Sequence, residues 1–174
     1  MMSLSAQAAA LLADRPTEVS DALRAYGRHL GIAYQLVDDL LDFTGSATTL
    51  GKPALADLHQ GLATGPTLFA ADEFPQACHV AVGARPSRTR RARGPSRGRL
   101  PHAQIEAIVG RRFSEEGDVA AVAELVARSD GVQKTAALAT SHAQRAADAL
   151  AVLPPSAARD AMLHLCFQVL SRRS

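Results

Sequence analysis

The sequence predicts an all-α fold, and three observations carry that expectation. Alanine and leucine dominate a chain of 174 residues that is 47% hydrophobic, tryptophan is absent and β-branched residues are sparse. Apolar residues recur at helical spacing along most of the chain. Most prolines and glycines fall between the periodic segments rather than inside them.

The elements follow in order. Ser3 to Ala13, "SLSAQAAALLA", is a strong helix former that "DRPT" breaks with Pro16. Thr17 or Ser20 is positioned to cap a second helix, with apolar residues at Leu23, Tyr26, Leu30, Ala33, Val37, Leu40 and Leu41, running to about Phe43. Its second half is apolar nearly all round, which predicts burial on most sides, and Gly45 is its stop signal. A loop through Thr48 to Pro53 leads to a helix from about Asp57, bent near Gly65 and Pro66. Residues 78–103 lack apolar periodicity and are rich in glycine, proline, serine and arginine, so disorder is expected there. Helices resume at Gln104 to Phe113, Asp118 to Arg128, Val132 to Leu150 and Ser156 to Arg172, with Ser156 as a cap behind Pro154 and Pro155.

Length and composition bound the function classes. The chain is long enough for one domain with a real core. Cys78 and Cys166 do not make a disulfide framework, which favours a reducing compartment. No stretch holds the roughly 18 unbroken apolar residues of a membrane-spanning helix, and the N-terminus lacks the pattern of a signal peptide. The net charge of +2 averages two unlike parts, because seven arginines and no acid lie between Cys78 and Gln104 and the remainder is net acidic. Such a basic segment leaves a nucleic-acid or anionic-membrane tail as one reading, but no aromatic residue is interleaved for base stacking, so a nucleic-acid partner is not expected.

The segment "YQLVDDLLDFTGSATTLGK" places Asp38, Asp39 and Asp42 in an oily run. On a helix, Asp38 and Asp42 share a face, Asp39 lies about 100° round, and Gln35 sits one turn earlier on that side. Aspartates on a helix usually form a solvated face. The flanks Leu36, Val37, Leu40, Leu41 and Phe43 favour burial instead, and buried carboxylates need a cation, donors or a polar cavity. Carboxylates without nearby cysteine or histidine favour a hard ion such as Mg²⁺, which keeps several waters and bridges carboxylates to phosphates. Lys52, ten residues after Asp42 and following a glycine, is a point charge suited to a diphosphate. The histidines His29, His59, His142 and His164 have no metal spacing, Cys166 reads as core filler, and Arg172 and Arg173 read as a solvated tail.

With these residues in view, "YGRHLGIAYQLVDDLLDFTGSATTLGKPALADLHQGLATGPTLFAADEFP" closely resembles the second aspartate-rich region of the trans-type long-chain polyprenyl diphosphate synthases. Gln35, Asp38, Asp39, Asp42 and Lys52 fall on that family's Q-x-x-D-D-x-x-D and G-K positions, and "RRFSEEGDVAAVAELVARSDGVQKTAALATSHAQRA" and "LPPSAARDAML" look like its C-terminal helices. The resemblance implies a helical bundle of the isoprenoid synthase type and a head-to-tail condensation. An allylic diphosphate loses diphosphate with help from Mg²⁺, and isopentenyl diphosphate attacks the resulting carbocation. It further implies that Asp38, Asp39 and Asp42 bind Mg²⁺ and act in catalysis, that Lys52 touches the diphosphate, and that Gln35 lies beside the substrate.

The departures shape the remaining expectations. No other D-D-x-x-D pattern occurs, and Met1 and Met2 stand where the family has a lysine-threonine pair. Residues 1–174 therefore read as the C-terminal portion of a single synthase domain, an incomplete bundle inactive by itself. Residues 78–103 form an insertion whose composition resembles translated noncoding sequence. The resemblance implies a homo- or hetero-oligomer, in mitochondria for a eukaryote or the cytoplasm for a bacterium, with any transit peptide upstream. The alternative is a noncatalytic helical subunit that pairs with a competent synthase.

Overall fold

The computed structural model describes residues 1–45, 55–73 and 101–172, with side chains excepted at 101 and 102. Every regular element among the described residues is helical: α1 (Met2–Leu12), α2 (Thr17–Thr44), α3 (Ala56–His59), α4 (Gly65–Glu73), α5 (Pro101–Gly110), α6 (Asp118–Ala127), α7 (Gly131–Ala149), a 3₁₀ turn (Leu150–Val152) and α8 (Ala157–Leu170). The all-α expectation holds, and α2, the longest helix, packs against α1, α4, α7 and α8.

The α2–α7 pairing is the most extensive, and small residues explain it. Ala33 on α2 and Ala139, Ala143 and Ala146 on α7 are all buried, recurring every three or four residues on α7. Side chains this short let the two backbones approach closely. α8 closes that seam: Val169 joins Ala33 and Ala143, while Cys166 packs with Tyr26, Ala146 and Leu150. Tyr26 Oη donates to the Met162 carbonyl at 3.2 Å, so the buried hydroxyl is satisfied. Burial pushes the Tyr26 phenol up to about 12.

A second core gathers the shorter helices around the C-terminal end of α2. Leu58, Ala70, Ile105, Ile108, Phe113, Val122, Leu125 and Val126 are buried together, with Phe43 and Leu55 packed against them. Each large aliphatic side chain removed from water here contributes about 1.5–3 kcal/mol. This cluster fixes α3 and α4 relative to the aspartate-bearing end of α2.

The structure corrects three local expectations. α2 starts directly behind Pro16, and neither Thr17 nor Ser20 caps it, since Ser20 is buried at 3% exposure inside the first turns. Gly45 ends α2 as expected, in an extended conformation (φ −75°, ψ 144°). The single bent helix expected from Asp57 is two helices, separated at Gly61, whose φ of +80° takes the left-handed region open to glycine. α5 begins at Pro101, inside the span expected to be disordered, with proline at the helix start where its missing N–H costs nothing; residues 78–100 lie outside the described residues. Ser156 caps α8 as expected, its Oγ accepting the Arg159 N–H at 3.2 Å.

Candidate functional site

The three aspartates occupy consecutive turns of α2 but meet three different environments. Asp39 is buried at 8% exposure; its Oδ1 accepts from Gln35 Nε2 at 3.0 Å and its Oδ2 from the Gly65 N–H at 3.3 Å. Asp42 accepts the Ala56 N–H on Oδ1 at 2.9 Å and the Asp57 N–H on Oδ2 at 3.2 Å. It thereby satisfies the orphan donors that open α3, as a capping carboxylate does. Asp38 alone points outward, with 55% of its side chain exposed.

Gly65 makes the Asp39 contact possible. A Cβ there would lie 2.8 Å from Thr135 Cγ2, so only glycine lets the start of α4 press between α2 and α7. Asp39 and Asp42 thus tie α2 to the segments that follow it, while Asp38 is left for another partner.

That partner in the structure is Arg172, just beyond α8. Its Nη2 lies 3.8 Å from Asp38 Oδ1, and its guanidinium stacks 4.0 Å over the Tyr34 ring. The solvated tail expected here is, at Arg172, folded onto α2; only 34% of the side chain is exposed, and Arg173 lies outside the described residues. Tyr34 and Gln35 are themselves exposed, so the second half of α2 presents an open polar face rather than being buried on most sides. An open groove of about 560 Å³ runs along this face, lined by Met2, Gly31, Ile32, Tyr34, Gln35 and Leu36 among others.

Lys52 lies outside the described residues. Gln35, Asp38 and Asp39 share one stretch of α2, with Gln35 bonded to Asp39, whereas Asp42 is turned toward α3. Sequence reasoning missed a histidine pair: His29 on α2 and His142 on α7 meet with Nδ1 atoms 2.8 Å apart. Their separation of 113 residues left no local signal. Cys166, 1% exposed, is the core filler expected, and burial pushes its thiol up.

Among the described residues no group of three or more His, Cys, Asp or Glu side chains is gathered so as to hold a metal ion. The donor set instead fits a hard cation attached mainly through water and phosphate oxygens, because Mg²⁺ needs only one or two carboxylates from the protein. Asp38, exposed and bonded to no N–H group among the described residues, has that capacity.

A long helix carrying an aspartate-rich segment inside an all-α bundle defines an isoprenoid-synthase type of protein, and comparison with known proteins agrees. The Polyprenyl synthetase family model matches residues 1–92, more than half of the chain, and the chain belongs to that family. It is 39% identical over 172 residues to the probable mitochondrial hexaprenyl pyrophosphate synthase of Neurospora crassa, covering 99% of this chain and 32% of that protein. It is 37% identical to a prenyl transferase of Synechocystis, covering 99% of this chain and 45% of that one. The crystal structure of the Caulobacter crescentus polyprenyl synthase complexed with calcium and isoprenyl diphosphate matches with a TM-score of 0.73 at 33% identity, over 99% of this chain and 46% of that chain. The chain thus spans from just under a third to just under a half of the length of these relatives.

Proposed function

We propose that the chain forms part of a long-chain polyprenyl diphosphate synthase that extends an allylic diphosphate with isopentenyl diphosphate in a Mg²⁺-dependent head-to-tail condensation. The observation that carries this reading is Asp38, an outward carboxylate in the C-terminal half of α2, one turn beyond Gln35, which lines the groove along α1 and α2. The cation, when bound, neutralises charge developing on the departing diphosphate. Asp38 would hold it, and Asp42 and Asp39, which anchor α3 and α4, would contribute their remaining lone pairs through water. Gln35 borders the substrate, and Lys52 supplies a positive charge to the diphosphate. The family's long-chain members and the mitochondrial Neurospora relative favour a role in ubiquinone side-chain synthesis, in mitochondria for a eukaryotic source and in the cytoplasm for a bacterial one.

The experiment is a chimera. This chain replaces the matching portion of the Synechocystis prenyl transferase, and the product is assayed with Mg²⁺, farnesyl diphosphate and labelled isopentenyl diphosphate. Elongated prenyl diphosphate is expected, and Asp38→Asn is expected to lower kcat by about a hundredfold or more. A folded chimera without product would defeat the reading.

A second reading, a noncatalytic helical subunit that pairs with a competent synthase, draws support from apolar side chains left open. Leu4, Leu11 and Leu12 on α1 are 65%, 63% and 89% exposed, a row suited to burial against a further helical layer. Stimulation of a separate active synthase by this chain, unaffected by Asp38→Asn, distinguishes it from the first.

A further inference from the structure

Arg172 follows the C-terminal end of α8 and reaches back to the C-terminal half of α2, where two residues one turn apart receive it. The ring of Tyr34 supports the guanidinium from below and Asp38 faces it from the side. The Nη1 atom is buried with no hydrogen-bond partner among the described residues, and the Nη2 contact to Asp38 at 3.8 Å is longer than a hydrogen bond. The guanidinium is therefore held chiefly by the ring, while Asp38 is neutralised without being chelated.

We propose that Arg172 is a built-in counterion that competes with a divalent cation for Asp38. The inference rests on the cation role given to Asp38 above and adds a regulator of it. Guanidinium and metal ion repel each other at shared carboxylate distance, so one must leave when the other arrives. The pair is largely solvent-screened and weak, so the ion displaces the guanidinium readily, and the Tyr34 stack retains it close by. Without the ion, Arg172 keeps the open face of α2 free of an uncompensated charge. With the ion, it is released beside the groove.

The test measures Mn²⁺ binding to the purified chain by the loss of the free-ion signal in electron paramagnetic resonance, with and without inorganic diphosphate. Arg172→Gln is expected to bind Mn²⁺ about two- to fivefold more tightly than wild type. Tyr34→Leu, which keeps the charge but removes its support, is expected to tighten binding by a smaller factor, and Asp38→Asn to abolish the site. Thermal midpoints of the variants confirm that α8 stays docked. Binding that depends on Asp38 but is equal or weaker in Arg172→Gln overturns the competition alone. Binding unchanged by Asp38→Asn, or absent from every form, overturns the cation role of Asp38 and the competition with it.

Discussion

His29 on α2 and His142 on α7 face each other with Nδ1 atoms 2.8 Å apart and ring centroids 5.0 Å apart, so one imidazole donates its N–H to the other across the principal helix pairing. Both are held below the ordinary value of 6.5, first by burial and then by nearby positive charge, Arg145 and Arg28 acting on both and His29 adding to the effect on His142. A histidine with a lowered folded-state value takes up its proton more readily when unfolded. Its contribution to stability is fully present above 6.5 and declines as pH falls through that value toward the folded-state one. The thermal midpoint is expected to drop between about pH 7.5 and about pH 5.5, and His142→Gln to flatten that slope. Parallel pH profiles for the two proteins would remove the pair from this role.

The three aspartates are expected to separate in a stability measurement as they do in space. Asp39→Ala leaves the partly buried Gly65 N–H without its acceptor and frees the exposed Gln35 amide to water, at a cost of about 1–3 kcal/mol. Asp42→Ala removes the acceptor for two N–H groups at the start of α3 and costs about 1 kcal/mol, as loss of a helix cap does. Asp38→Asn disturbs only an exposed ion pair and stays within about 1 kcal/mol of wild type. Urea titrations of the three variants give the order directly, and a large loss for Asp38→Asn with none for Asp39→Ala would reverse these assignments.

Gly131 opens α7 where α4 crosses it, and a Cβ there would lie 2.3 Å from the Pro66 carbonyl oxygen. That neighbour is backbone, which cannot rotate aside. Gly131→Ala is expected to cost about 1–3 kcal/mol by forcing the helices apart, despite alanine's better helix propensity. At Gly65 the obstacle is the Thr135 methyl at 2.8 Å, so Thr135→Ser, which deletes that methyl and keeps the hydroxyl, should recover part of the loss caused by Gly65→Ala. Urea unfolding of the single and double variants measures the coupling.

Features governed by near neighbours were legible in the sequence, and those governed by distant ones were not. The apolar spacing of α2 and the Ser156 cap of α8 depend on residues within a turn or two, and both are present. The division of labour among the aspartates depends on N–H groups supplied 14 and 26 residues further along, which no helical wheel contains. The same holds for the break between α3 and α4, set by a left-handed Gly61 that abuts Arg112, and for the histidine pair. The aspartate-rich segment marked the family because its spacing is local. Arg172 read as a free tail because its partners Tyr34 and Asp38 lie at the far end of the sequence.

The turn between α5 and α6 is built on a carboxylate with a definite pH signature. Asp118 is 5% exposed, receives Nε of Arg111 at 2.8 Å on Oδ2 and Nη2 on Oδ1, and also accepts the Glu115 N–H at 3.1 Å. Arg112 and Phe113 both take φ of 55° within this turn, a left-handed conformation that the Arg111–Asp118 bridge spans while Phe113 packs into the second core. The Arg111 hydrogen bonds, with the Glu115 N–H and the Arg111 charge, hold the Asp118 carboxyl below its ordinary 3.8 against the opposing effect of burial. A lowered carboxylate contributes stability that is fully present above the ordinary value and is lost as pH falls through the folded-state one. Asp118→Asn is therefore expected to unfold at a lower temperature than wild type near pH 7, and the gap is expected to close as both are acidified below about pH 4. A gap that stays constant down to about pH 2 would mean that Asp118 acts through packing rather than through its charge.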